Sequence, residues 1–166
     1  YFDSITDKDE KLRYEYGEFI NSQCRRARRA MTKIINDENC YISLKWLDEI
    51  DNSNFRLLHH KSYPDNAGEM HVGGIQLSVE QGYHPRNLFE IIMKRFRNYN
   101  PDHGGTYNFG VISNFVQCDQ RFDLHFESFN RKIKSTIVIP ITINASLIGF
   151  FCFNSYKIGA LRKKHM

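Results

Sequence analysis

A chain of 166 residues, 41% hydrophobic and 14% aromatic, has apolar material for one globular domain with a sizeable core and is too short for a second. Its formal net charge of +4 is too small to define an anionic partner, so the placement of the basic residues matters more than their sum. Four widely spaced cysteines, Cys24, Cys40, Cys118 and Cys152, form no CxxC pair; they offer neither a disulfide framework nor a zinc site and fit a reducing cytoplasm. No stretch is long and apolar enough to span a bilayer or act as a signal peptide. The chain starts at Tyr1 without an initiator Met and stops soon after a strand, so it is expected to be a piece of a longer protein, with room for a membrane anchor or output domain outside it.

From about Asp9 to Ile35, apolar residues recur every three or four positions and predict one long amphipathic helix. Residues 1–36 are read as this N-terminal segment. A helix this long should outrun the domain body. Its stripe, represented by Leu12, Tyr16, Phe19, Ala27, Met31 and Ile34, is expected to pair with the same helix of a second copy as a homodimer, although no strict heptad is sustained. Arg25, Arg28, Arg29 and Lys33 lie mostly off the stripe and Arg26 flanks it. Such a band suits nucleic acid or an acidic membrane surface. The plainer reading, a solvated face paired with acidic residues, is preferred because no aromatic or Gly-rich binding loop accompanies it. Nucleic acid is therefore not the expected partner.

Asn36 to Asn39 favour turns, and Cys40–Leu47 follows as an alternating strand. A polar turn over Asp48–Asn54 leads into a second strand, Phe55–Lys61, whose His59 and His60 point to opposite faces and so cannot easily share a metal. Tyr63–Gly74, with Pro64, Gly68, Gly73 and Gly74, reads as an irregular loop. Leu88, Ile91, Ile92, Arg95 and Phe96 predict a helix from about Pro85 to Asn98, with Pro85 in its first turn. After the breaker Asn100–Gly105, Thr106–Phe115 reads as a third strand with Tyr107, Phe109 and Val111 on one side. Val116–Lys132 is aromatic and charged, and Phe122, Phe126 and Phe129 fit a short helix or two turns.

The strongest pattern is Lys134–Ser155. Ser135–Ile143 and Leu147–Phe153, joined by Asn144-Ala145-Ser146, predict a hairpin. Alternation assigns Ile137, Ile139, Ile141 and Ile143 to a core face, and Thr136, Val138, Pro140 and Thr142 to the other. The second strand is apolar on both faces, as a central strand under helices would be. The elements together predict an α+β fold: a central antiparallel sheet of five to six strands flanked by helices, with a long N-terminal amphipathic helix.

This closing hairpin resembles that of GAF domains: a small residue, an aliphatic run, Pro140 with Ile141, a turn, then Leu147-Ile148-Gly149-Phe150 and a closing Asn154-Ser155. Proline is costly inside a strand unless the strand is bulged or at an edge, and Gly149 permits close approach of a packed neighbour. The resemblance divides the chain into the helix, a GAF-like sensor domain over 37–160 and a basic tail over 161–166. It implies a regulatory module, usually dimeric through terminal helices, that binds a small molecule on one sheet face or transmits a signal to a neighbouring domain. The pocket wall of ligand-binding relatives maps onto Tyr107, Phe109, Phe115, Phe122, Phe126 and Phe129. Aromatic walls bind flat ligands well. The plainer reading, that these rings fill the core, is preferred on spacing alone.

Several chemistries known in this fold find no complete residue set. The cyclic-nucleotide signature is absent, Cys118 is followed by Asp119 where a bilin-binding cysteine commonly has His, and His84, His103 and His125 are single candidates for a haem ligand. The enzymatic alternative is the free-methionine-sulfoxide reductase branch, which Cys118-Asp119 superficially resembles. It lacks a resolving cysteine nearby, since no other Cys lies between Cys40 and Cys118. Cys118 with His125 is not a dyad that helical spacing brings together. Asp48-Glu49 and Asp9-Glu10 look like solvated or capping charges. The expectation is a non-catalytic sensor with no metal site and an unidentified cofactor or ligand.

Overall fold

The computed structural model describes residues 7–63, 75–98, 110–116, 119, 121, 133–143 and 146–162, and within them all side chains except those of 7–16, 59 and 143. The chain runs α1 (Asp7–Ile35), β1 (Tyr41–Glu49), β2 (Asn54–Tyr63), β3 (Ile75–Ser78), α2 (Leu88–Arg97), β4 (Val111–Ser113), β5 (Ser135–Ile143) and β6 (Ser146–Ser155). The strands form one six-stranded sheet in the order β3-β2-β1-β6-β5-β4, and each described pair is antiparallel. The closing hairpin thus supplies β6, at the centre, and β5 beside it.

Helix α1 forms over 29 residues because its apolar positions keep one side. Ile20, Ala27, Met31 and Ile35 pack with Cys24 against Ile42, Leu44, Ile137 and Phe153. Its end is fixed by a left-handed residue. Asn36 takes φ +51°, and the Asp37 N–H reaches back to Thr32 O at 3.3 Å, a closure that asparagine tolerates better than most residues. Arg28 then donates to Cys40 O at 3.0 Å and Glu38 O at 2.9 Å, tying the helix to the start of β1.

On the opposite face, α2 packs Leu88, Phe89, Ile92 and Met93 against Tyr41, Leu57, Val138 and Phe150. Both faces of β5 are therefore core. The face assigned to the core holds, with Ile137, Ile139 and Ile141 on the α1 side, and the other face is buried too: Val138 and Thr136 are as buried as Ile137, with Thr136 donating to Asn154 Oδ1 at 2.8 Å. The prediction for β6 holds, with Phe150 and Cys152 on the α2 side and Phe151 and Phe153 on the α1 side. Gly149 lies opposite Trp46 and Ile141, and a Cβ there would run into Lys45 O and the Trp46 ring. Pro140 pairs with Phe150 beyond the segment of β5, 136–138, that β4 covers, and next to an irregularity between Ile141 and Thr142.

Other boundaries move. β1 and β2 extend to Glu49 and Tyr63, shortening the polar turn, where Asp51 Oδ1 accepts from Ser53 N and Asn54 N, each at 2.9 Å. Ile75–Ser78 is a strand that four residues of pattern failed to announce; it pairs along β2. Helix α2 begins at Leu88, so Pro85 lies outside its first turn. Asn87 is the cap, accepting from Glu90 N at 3.0 Å. The third strand is described only over Val111–Ser113, and Phe115 lies past its end. Tyr107 and Phe109 lie outside the described residues, as do Phe122, Phe126 and Phe129.

Candidate functional site

Of the six aromatic residues assigned to a pocket wall, Phe115 is described, and it is 42% exposed at the sheet edge. The described surface instead has a cavity of about 470 Å³ on the α2 side, at the sheet end that carries the β1–β2 turn and the start of β6. Its size falls within the range of small-molecule sites. Alternation sends Leu47 and Glu49 to one face of β1, and the register sets Phe55 opposite Glu49. Met93, Phe96 and Arg97, spaced three and four along α2, face them, and Val79, Leu147, Ser146 and Asn52 complete the lining.

Arg97 is held in place. Its guanidinium donates to Asn52 O at 2.7 Å and to Val79 O at 3.1 Å, strapping the end of α2 to the hairpin turn and to the residue after β3. The position also sets a cation at a helix C-terminus, where the macrodipole favours it. The remaining guanidinium hydrogens and the exposed Glu49 carboxylate put both signs of charge on the rim of an apolar floor. No cysteine or histidine stands among the described lining residues.

The described cysteines are placed against reactivity. Cys24 and Cys40 are buried, and burial pushes both thiols up from their usual range. For Cys40 the Asp37 charge adds to this, while the Thr32 contact at 3.1 Å and Arg28 only partly offset it. Cys152 is buried in the α2-side core. Cys118 lies outside the described residues, as do His103 and His125; His84 is exposed, and His60 leans on Trp46 at 5.3 Å between ring centroids. Among the described residues no cluster of three or more His, Cys, Asp or Glu is placed to hold a metal.

Two buried carboxylates hold the framework together. Glu90 accepts from Arg86 N at 2.7 Å, Arg86 Nη2 at 2.9 Å and Ser78 N at 3.0 Å, so it anchors the connection between β3 and α2. Asp37 accepts from Ser155 Oγ at 2.7 Å, Asn39 N at 3.0 Å and Tyr156 N at 3.1 Å, joining the end of α1 to the end of β6. Burial pushes the Asp119 carboxyl up, but the Arg121 guanidinium, donating at 2.6 and 2.9 Å, outweighs it together with the Arg121 N–H at 3.0 Å and the Ser113 side chain, and the carboxyl falls to about 2.

The residues assigned to a dimer helix separate. Ala27 and Met31 pack on the chain's own sheet, whereas Phe19 and Ile34 are 60% and 59% exposed. The side chains of Leu12 and Tyr16 are outside the described set. Within the basic band, Arg28 is engaged by backbone carbonyls, and Arg25, Arg26, Arg29 and Lys33 remain exposed.

Sequence reasoning missed the cavity. It treated Asp48-Glu49 as turn charges and left Ile75–Ser78 unassigned; extending the alternation of β1 by two residues would have put Glu49 beside Leu47.

No family profile matches the chain, and no curated protein does. Solved structures align with this chain at low identity. A type II free methionine-R-sulfoxide reductase from Thermoplasma acidophilum aligns over 89% of this chain and 82% of its own, at 14% identity and a TM-score of 0.47. A free methionine-R-sulfoxide reductase from Neisseria meningitidis aligns over 87% of this chain and 66% of its own, at 10% identity and 0.46. The GAF domain of a sensor histidine kinase from Bacillus halodurans aligns over 84% and 80%, at 12% identity and 0.43. The fold of this chain is α+β, an antiparallel sheet between helices closed by the β5–β6 hairpin.

Proposed function

We propose that this chain is a regulatory binding module that takes a small molecule in the α2-side cavity and performs no chemistry on it. The observation that carries this reading is the cavity: a preformed space of ligand size with an apolar floor, a fixed guanidinium and a free carboxylate at its rim. Occupancy is read out through α2. A ligand touching Met93, Phe96 and Leu147 at once biases the position of the helix end against the β5–β6 hairpin.

The test is a thermal-shift screen of metabolite-sized compounds against the wild type and Leu147→Trp, which puts an indole into the cavity. Hits should stabilise the wild type by several degrees and lose the effect in a variant that still melts cooperatively. Hits that stabilise both proteins equally place binding elsewhere, and turnover of a hit overturns the non-catalytic part.

A further inference from the structure

The outer side of α1 has a use that the cavity does not account for. Between Glu18 and Asp37 the chain has no acidic residue, and Asp37 itself is buried and bonded. Arg25, Arg26, Arg29 and Lys33 are exposed there, and among the described residues no ion pair engages them. The preferred sequence reading, a solvated face with acidic partners, therefore has no partners on this segment. At 100° per residue, Phe19, Arg26, Ala30 and Lys33 fall in one sector of about 60°, with Arg29 and Ile34 on either side. The sector adjoins the sheet-packed stripe without being part of it, and both large apolar residues beside the cations are more than half exposed.

We propose that the segment of α1 from Phe19 to Ile34 lies flat on an anionic lipid bilayer, with Arg26, Arg29 and Lys33 at the headgroups and Phe19 and Ile34 entering the acyl boundary. The pairing of cations with exposed apolar side chains selects this occupant. A nucleic acid would use the charges and leave Phe19 and Ile34 idle. A second copy meeting this sector in parallel would set Arg26 and Lys33 against their own equivalents. The apolar area offered is small, so attachment is electrostatic first, reversible, and weakened by salt.

Co-sedimentation of the full chain with phosphatidylcholine vesicles, with and without phosphatidylserine, tests this. Binding is expected to the phosphatidylserine vesicles alone and to fall as salt rises. Replacing Arg26, Arg29 and Lys33 by Gln should weaken it on the order of a hundredfold, at about a factor of five for each basic residue. Phe19→Ser with Ile34→Ser should weaken it further while leaving the melting curve cooperative. The proposal is overturned by absence of phosphatidylserine-dependent binding, or by binding that ignores salt in the wild type, a readout that stands even if a variant fails to fold. It is also overturned if the Phe19/Ile34 variant binds vesicles as the wild type does. Vesicle binding unchanged in that variant with duplex DNA bound equally well would mark a general polyanion surface, and vesicle binding unchanged while a dimer becomes a monomer would mark a self-association face.

Discussion

On the α1 side of the sheet, one helix of 29 residues lays Ile20, Cys24, Ala27, Met31 and Ile35 along the strands, and Arg28 and Asp37 fasten its end to β1 and β6. On the α2 side, a helix of ten residues covers Tyr41, Val138 and Phe150, stops at Arg97 and leaves the end of the sheet open as a cavity. The same strands thus meet a long, latched helix on one face and a short one on the other. A short helix cannot cover strands of nine and ten residues, and the uncovered part is where a ligand can be held without opening the core.

The largest expected effect tests whether the α2 face is as tightly packed as the α1 face away from the cavity. Phe150 is fully buried, with its ring edge-on to Phe89 at 5.1 Å between centroids. Phe150→Ala should destabilise the fold by about 3–5 kcal/mol, measured as the shift in urea midpoint at constant slope. A change below about 1 kcal/mol would mean that the region collapses readily and that the whole α2 face is loose.

A smaller effect is expected at the fastening of α1. Asp37→Asn keeps the shape but sets its NH2 either against the Asn39 N–H or against the Ser155 hydroxyl and Tyr156 N–H that share Oδ2, so at least one donor loses its acceptor. The expected loss is about 2 kcal/mol. In hydrogen exchange, protection should fall first at the end of α1 and at Ser155, with α2 unaffected. Equal loss on both faces would dissolve the distinction between a latched helix and an open one.

The smallest effect concerns Asp119, beyond the end of β4. Its carboxyl is depressed in the folded state, to about 2 from a usual value of 3.8. Its contribution to stability is therefore fully present above the usual value and is lost as pH falls from about 4 toward 2. Asp119→Asn should lower the melting temperature modestly at pH 7, and the difference from wild type should vanish near pH 2. A difference that persists there would show that the Arg121 contact contributes shape more than charge.

Periodicity carried the fold a long way. The helical stripe from Ile20 to Ile35, the alternation of β1 and β2, and the pairing of β5 with β6 are all short-range patterns, because a side chain's direction on a helix or strand depends on its own position along the element. Gly149 was legible for the same reason, as a strand position where a side chain would collide with a neighbour. Ile75–Ser78 was not, because four residues give too few alternations to stand above a loop, and its pairing with β2 is a tertiary event. Pro85 misled because proline favours a first turn, while Asn87 holds the cap through a side-chain hydrogen bond.

By itself, then, the sequence determined most of the helix and strand segments, that the hairpin at Ser135–Ser155 lies under cover on both strands' apolar sides, and that a basic band rides on α1. The tertiary structure decided what those elements leave open. The cavity gathers Leu47, Phe55, Arg97 and Leu147, residues as much as 100 positions apart in the chain, and it exists because α2 ends where Arg97 is strapped to Asn52 and Val79. The exposure of Phe19 and Ile34 beside unpaired cations was settled in the same way. A helical stripe wider than its contact with the sheet keeps its near side dry and leaves its shoulder in water, and only the packed fold shows where that line falls.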